Sequence, residues 1–139
     1  MRAALSVVVV AAGLVLATVP ARAHHAFAAE FDAQAPVKLE GTITKIELIN
    51  PHAWIHVNVK KSDGTEEEWM VEAGTPNALM RSGFNKDRVK VGMQVVVDGF
   101  QSKDRSNRAN GRNILLPDGS KLFVGSANTG APGETPPVK

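Results

Sequence analysis

The sequence contains no cysteine and no tyrosine, and aromatic residues make up only 5% of its 139 residues. Without cysteine the chain cannot form a disulfide, a thiolate metal site, a redox pair or a cysteine nucleophile. The sequence also lacks the Gly-x-Ser-x-Gly motif of many hydrolases and any glycine-rich phosphate-binding loop. These absences disfavour an enzyme and leave packing and sheet hydrogen bonds as the sources of stability.

The first 23 residues have the three parts of a secretory signal peptide. Arg2 supplies a positive start, residues 3–19 are mostly apolar, and Ala21-Arg22-Ala23 is a small-residue cleavage motif. A membrane anchor is the competing interpretation, but the apolar run is short for a span of about 20 residues. We therefore expect cleavage after Ala23 and a periplasmic or secreted product without a stable membrane anchor.

Charge is balanced once the signal peptide is removed. The whole chain has 16 Lys and Arg against 14 Asp and Glu, and Arg2 and Arg22 are the only charged residues of the signal. Residues 24–139 therefore carry 14 charges of each sign. A neutral domain has little long-range attraction for phosphates, so we expect no nucleic-acid partner.

Alternation of apolar and polar residues predicts a β-rich domain. The first strand begins at Val37, and its apolar parity shifts by one residue, which predicts a β-bulge near Thr44–Lys45. Two more strands follow, in Trp54–Val59 and Glu68–Ala73, on either side of an Asp-Gly hairpin turn. Thr75 is then a typical N-terminal cap for a short helix.

The remaining sequence predicts two or three further strands. Met93–Phe100 alternates, residues 101–113 read as a polar loop, and two short apolar segments flank a second tight turn. This order predicts an all-β fold, a small OB-like barrel of five to six strands with one short helix, and an open β-sandwich is the alternative. The predicted layout is a signal peptide at 1–23, an extended N-terminal arm at 24–36 pinned by its phenylalanines, the barrel at 37–125 and a disordered tail at 126–139.

All four histidines lie in two short clusters, His24 with His25 and His52 with His56. After cleavage, His24 would carry an α-amine that chelates a metal together with its own imidazole. Nitrogen-rich donor sets of this kind suit Cu(II). His52, Trp54 and His56 share strand parity, so their side chains point to one face. We therefore predict a copper site formed by the four histidines and shielded by Trp54.

The alternative is a non-metal interaction module. Histidines at a new terminus or on a strand surface are often only tolerated or hydrogen-bonded. In that case the surface around Trp54, with Arg105 and Arg108 of the polar loop, binds a partner protein or a small polar ligand. Both hypotheses describe an exported binding or accessory protein, whose partner is a metal ion or another periplasmic molecule. A redox-active copper site is the one enzymatic alternative.

Four motifs together resemble a family of small secreted bacterial proteins of unknown function. They are His24-His25-Ala26-Phe27, Asn50-Pro51-His52-Ala53-Trp54, Thr75-Pro76-Asn77-Ala78-Leu79 and Ser106-Asn107-Arg108-Ala109-Asn110. The resemblance covers roughly residues 24–125 and implies a bacterial, periplasmic setting. It supplies no activity and no ligand, so the copper hypothesis depends on donor chemistry alone.

Overall fold

Six strands in one sheet and two short helices make up the computed structural model, which describes residues 26–127 and 129–133. In chain order the elements are α1 (Ala26–Glu30), β1 (Phe31–Glu47), β2 (Trp54–Lys60), β3 (Glu66–Glu72), α2 (Pro76–Arg81), β4 (Gln94–Ser102), β5 (Arg108–Leu115) and β6 (Lys121–Phe123). Neither of these helices is long and apolar enough to cross a membrane. The predicted signal peptide, residues 1–23, lies outside the described residues.

The sheet closes on itself as a ring. Neighbouring strands follow the order β3-β2-β1-β4-β5-β6 and are antiparallel, while a parallel pairing of β3 with β5 closes the ring and leaves β6 outside it as an edge strand on β5. The helix α2 lies between β3 and β4 in the chain, as an OB-like order requires. The mainly β fold predicted from the sequence is therefore confirmed, although it carries two short helices and not one.

The long strand β1 makes the ring possible because it pairs with two different strands. Its first part pairs with β4 and its last part with β2. The register against β2 shifts between Ile43 and Lys45, which confirms the predicted bulge. At Gly41 a Cβ would overlap the carbonyl group of Asn58, so glycine is required where β1 and β2 approach each other.

One apolar core is built from alternate residues of the strands. Ile55 and Val57 of β2 and Val71 of β3 are completely buried, and Leu79 of α2 is almost so. The helix α2 begins as predicted, because the Thr75 side chain accepts a hydrogen bond from the Ala78 N–H at 3.2 Å. The core leaves the opposite face of β2 and β3 available to polar side chains.

A second apolar cluster attaches the N-terminal segment to the rest of the fold. Phe27 and Phe31 are only 3% and 2% exposed, and they pack with Ala131 and with the partly buried Phe100. The rings of Phe27 and Phe100 meet edge to face with centroids 5.6 Å apart. The predicted extended arm therefore contains α1, and β1 begins at Phe31. The prediction that phenylalanines pin this segment is confirmed.

The strand β5 replaces the second half of the predicted polar loop. It begins at Arg108, and Arg112 is a strand residue that is only 6% exposed. The residues between them include Ala109 and Gly111, both buried and both too small to give a visible apolar alternation. Pairing with the neighbouring strand β4 and with β3, which is distant in sequence, decides the conformation here.

Candidate metal and ligand site

Four polar side chains meet near the start of β2 and the end of β3. They are His52, Glu72, Asn110 and Ser126, and we call this set the His52–Glu72 corner. Backbone hydrogen bonds fix the two segments, since the Ala53 N–H donates to the Gly74 carbonyl at 3.0 Å and the Ala53 carbonyl accepts from the Ala73 N–H at 2.8 Å. The corner therefore has a rigid base.

His52 is the exposed member of the corner. Its Nδ1 atom lies 4.0 Å from Oε1 of Glu72 and 3.5 Å from Oγ of Ser126, and its side chain is 33% exposed. Among the described residues, none forms a hydrogen bond with its Nε2 atom. This imidazole therefore has donor capacity that the rest of the described chain does not use.

Glu72 is a partly buried carboxyl group whose side chain is only 13% exposed. Burial raises its pKa above the ordinary value, the nearby His52 works in the opposite direction, and the charge of Glu30 adds to the increase. The Asn110 amide donates to Oε1 of Glu72 at 3.3 Å. The Oδ1 atom of Asn110 is buried without a hydrogen-bond partner in the described chain. The corner therefore combines a carboxyl group whose ionised form is disfavoured by burial with an unused acceptor.

Trp54 and Arg108, both predicted as site residues, are brought together beside this corner. The guanidinium of Arg108 lies over the Trp54 ring, 5.5 Å from its centroid. The same guanidinium donates to Oε2 of Glu30 at 3.1 Å. Glu30 closes α1, so Arg108 connects the N-terminal helix to the Trp54 face.

His56 lies in a separate polar cluster and shares no partner with His52. Its Nε2 is 2.8 Å from Oε2 of Glu47 on β1, and its Nδ1 is 3.0 Å from Oε1 of Glu68 on β3. The residue is only 8% exposed. Because each ring nitrogen lies within hydrogen-bonding distance of a carboxylate on a neighbouring strand, His56 links three strands.

Arg105, the third residue predicted to bind a ligand, lies away from Trp54 in the turn after β4. Its guanidinium donates to Oδ2 of Asp32 at 2.7 Å. In the same turn, hydrogen bonds from Ser102 and Ser106 lower the pKa of Asp104 to about 2. A cavity of 320 Å³ lies between parts of this turn and α1. It is lined by Ala29, Glu30, Ser102, Lys103, Asp104 and Arg108.

A second cavity, of 570 Å³, lies near the C-terminal end of the described chain. Its lining residues are Phe100, Arg112, Asn113, Phe123, Ala127, Pro132 and Gly133. The guanidinium of Arg112 is 5.0 Å from the centre of the Phe123 ring. None of the residues predicted from the sequence to form a site lines this cavity.

The described part of the chain does not by itself contain a group of three or more His, Cys, Asp or Glu residues that could hold a metal ion. His52 and Glu72 supply two potential donors. His24 and His25, which the sequence predicts as further ligands, lie outside the described residues. The predicted copper site therefore stays a prediction.

Comparison with known proteins identifies the family. The chain matches the sequence model of "Family of unknown function (DUF6152)" over residues 11–112. The chain belongs to this family. The resemblance expected from the four motifs is thereby confirmed. No curated protein and no solved structure gives a significant match. The match with DUF6152 includes every member of the His52–Glu72 corner except Ser126.

Sequence reasoning missed Glu72 and Asn110, which the fold brings to His52. Glu72 is directly opposite Trp54 in the β2–β3 register, and Asn110 is opposite Glu72 in the β3–β5 register. Strand parity places Glu72 on the polar face, and that signal was available from the sequence. The parallel β3–β5 pairing was not, because it joins residues far apart in the chain.

Proposed function

We propose that this protein is an exported binding protein that captures Cu(II) at the His52–Glu72 corner. His24 and His25 of the processed N-terminus would complete the ligand set. The observation that supports this most is the position of His52, a partly exposed imidazole whose Nδ1 atom lies 4.0 Å from Oε1 of the buried carboxyl group of Glu72, so that both atoms can face one ion.

The chemistry of the corner favours a cation. Burial disfavours the charge of Glu72, and a dication beside it would remove that penalty because it supplies the opposite charge. Imidazole, amine and carboxylate donors are a set that Cu(II) accepts, and Cu(II) binds such sites more tightly than other divalent first-row metals. Two fixed donors give weak binding by themselves, so the proposal requires the N-terminal ligands.

The length of the chain allows those ligands to reach the corner. Glu30 is close enough to raise the pKa of Glu72. The helix α1 advances about 1.5 Å per residue, so its first residue lies about 6 Å from Glu30 along the axis. Each preceding residue adds up to about 3.5 Å. The chain that precedes Glu30 is therefore long enough for His24 and His25 to reach His52.

His56 has a different role in this proposal. Both of its ring nitrogens already bond to carboxylates at 2.8 and 3.0 Å. A metal ion would have to displace Glu47 or Glu68 before it could bind. We therefore assign His56 to the stability of the strand face and His52 to the metal.

The test is a Cu(II) titration of the protein purified from the periplasm, with intact mass to establish the N-terminus and electron paramagnetic resonance to identify the donors. The expected result is a chain that begins at His24 and binds one Cu(II) more tightly than a peptide of residues 24–30. His52→Gln should reduce the affinity to that of the peptide, while His56→Gln serves as the matched control. Peptide-like affinity in the wild-type protein would refute the proposal.

The second candidate function is a non-metal module that binds a small polar ligand or a partner protein beside Trp54. The observation that favours it is the buried Oδ1 atom of Asn110, an acceptor with no donor in the described chain. A ligand N–H or O–H group at this position would satisfy it. An unchanged Cu(II) affinity in His52→Gln, together with a Trp54 fluorescence response to a polar ligand that Asn110→Leu abolishes, would favour this candidate.

A further inference from the structure

The cationic side chains of the turn between β4 and β5 all bind the N-terminal segment. Lys103 donates its backbone N–H to the Glu30 carbonyl at 2.9 Å, and its ammonium group donates to the carbonyl of Ala28. Arg105 pairs with Asp32 at 2.7 Å and Arg108 with Glu30 at 3.1 Å. Arg105 and Arg108, which the sequence predicts to bind an external ligand, therefore already form ion pairs with acidic residues of this chain. We call residues 26–32 the strap and residues 102–108 the strap-binding turn.

An apolar contact completes the attachment. Phe27 is 3% exposed and its ring meets Phe100 of β4 edge to face. Burying a phenylalanine stabilises the docked strap by more than an exposed ion pair does. The apolar contact therefore supplies most of the attachment, and the three cations fix the direction in which the strap runs.

We propose that the strap-binding turn is a positioning element that holds the processed N-terminus beside the His52–Glu72 corner. Arg108 is its central residue, because one guanidinium contacts both Glu30 of the strap and Trp54 next to the corner. The inference rests on the proposed function, since it explains how the N-terminal ligands become part of a folded site. A docked strap raises the effective concentration of those ligands at His52.

Three variants separate positioning from simple electrostatics. Glu30→Gln removes a negative charge, Arg108→Gln removes a positive charge, and Phe27→Ala changes no charge. If only the local charge mattered, Glu30→Gln would weaken Cu(II) binding, Arg108→Gln would strengthen it and Phe27→Ala would leave it unchanged. If the turn positions the strap, all three weaken binding. Lys86→Gln, on an exposed residue away from these contacts, is the control for loss of a positive charge.

Docking of the strap has its own readout that needs no metal. The Lys103 N–H bonds to the Glu30 carbonyl, so its hydrogen exchange reports whether the strap is attached. We expect faster exchange at Lys103 in all three variants. The affinity for Cu(II) should fall about twofold to fivefold in the two charge variants. It should fall at least about tenfold in Phe27→Ala.

The outcomes distinguish the two proposals. Faster exchange at Lys103 with unchanged Cu(II) affinity would overturn the positioning role and leave the copper site in place. Peptide-like affinity in the wild-type protein would overturn the copper site itself. If Phe27→Ala fails to fold, the opposite directions expected from charge for Glu30→Gln and Arg108→Gln still decide the question, and a stronger Cu(II) affinity in Arg108→Gln would refute positioning.

Discussion

Replacing His56 by glutamine tests whether this residue stabilises the fold or binds the metal. The two ring nitrogens of His56 lie 2.8 Å from a carboxylate oxygen of Glu47 and 3.0 Å from one of Glu68, and the residue is 8% exposed. Glutamine has a shorter reach between its polar atoms, so it cannot maintain both bonds. We expect His56→Gln to lower the free energy of unfolding and to leave Cu(II) affinity unchanged.

The size of the effect follows from the geometry. A hydrogen bond to a charged group contributes about 1.5–3 kcal/mol when it is buried. The carboxylates here are 29% and 55% exposed, so solvent screens both bonds. We therefore expect a total loss of about 1–3 kcal/mol for the two bonds together. The pKa of Glu47 is lowered mainly by its hydrogen bond to the Lys45 ammonium. Its hydrogen bond to His56 is the next largest cause.

Urea unfolding followed by tryptophan fluorescence measures this loss, because Trp69 lies in the core and Trp54 on the polar face. Asn58→Ala is the matched control. It removes a 2.8 Å hydrogen bond to Glu66 from the same strand, in an exposed setting, and should change the free energy of unfolding by less than about 0.5 kcal/mol. If His56→Gln were as stable as the wild-type protein but had lost Cu(II), our assignment of roles to the two histidines would be wrong.

Two other predictions concern stability. The low pKa of Asp104, about 2, arises because Ser102 and Ser106 donate to the ionised carboxylate. The stabilisation is therefore fully present above the ordinary value of 3.8 and disappears as the pH falls through about 2. Asp104→Asn should be less stable than the wild-type protein near neutral pH, and the difference in urea midpoint should shrink below pH 3.8. A difference that stays constant with pH would contradict this. Gly41→Ala would place a Cβ against the Asn58 carbonyl, and we expect thermal unfolding to show a loss of about 1–3 kcal/mol. An unchanged melting temperature would contradict the close approach of β1 and β2.

Local sequence signals predicted those elements whose cause is local. The parity change near Thr44–Lys45 predicted the bulge, and Thr75 before a proline predicted the start of α2. The start of β5 at Arg108 was missed because Ala109 and Gly111 give no apolar alternation. There the strand conformation depends on pairing with β4 and with β3, and the parallel β3–β5 pairing joins residues too far apart in the chain to be predicted from the sequence.

The candidate site was predictable only in part, for the same reason. The sequence indicated His52 and Trp54, and the fold puts a carboxyl group and an amide beside them. Arg105 and Arg108 were predicted to bind a ligand, but both pair with acidic residues of the strap. These ion pairs join segments about 75 residues apart, so they could not be predicted without knowing how the closed sheet brings the two segments together.

The double pairing of β1 also affects how the chain can fold. The last part of this 17-residue strand pairs with β2, which follows it directly in the chain. The first part can pair only after β4 has formed, because the last residue of β4 is opposite the first residue of β1. Such distant contacts carry a large loop-closure entropy and form late. Until β4 has been synthesised, half of β1 is an unpaired strand edge. A chain shortened before residue 94 would therefore be prone to edge-to-edge aggregation, and the ring is completed only when β5 has also joined β3.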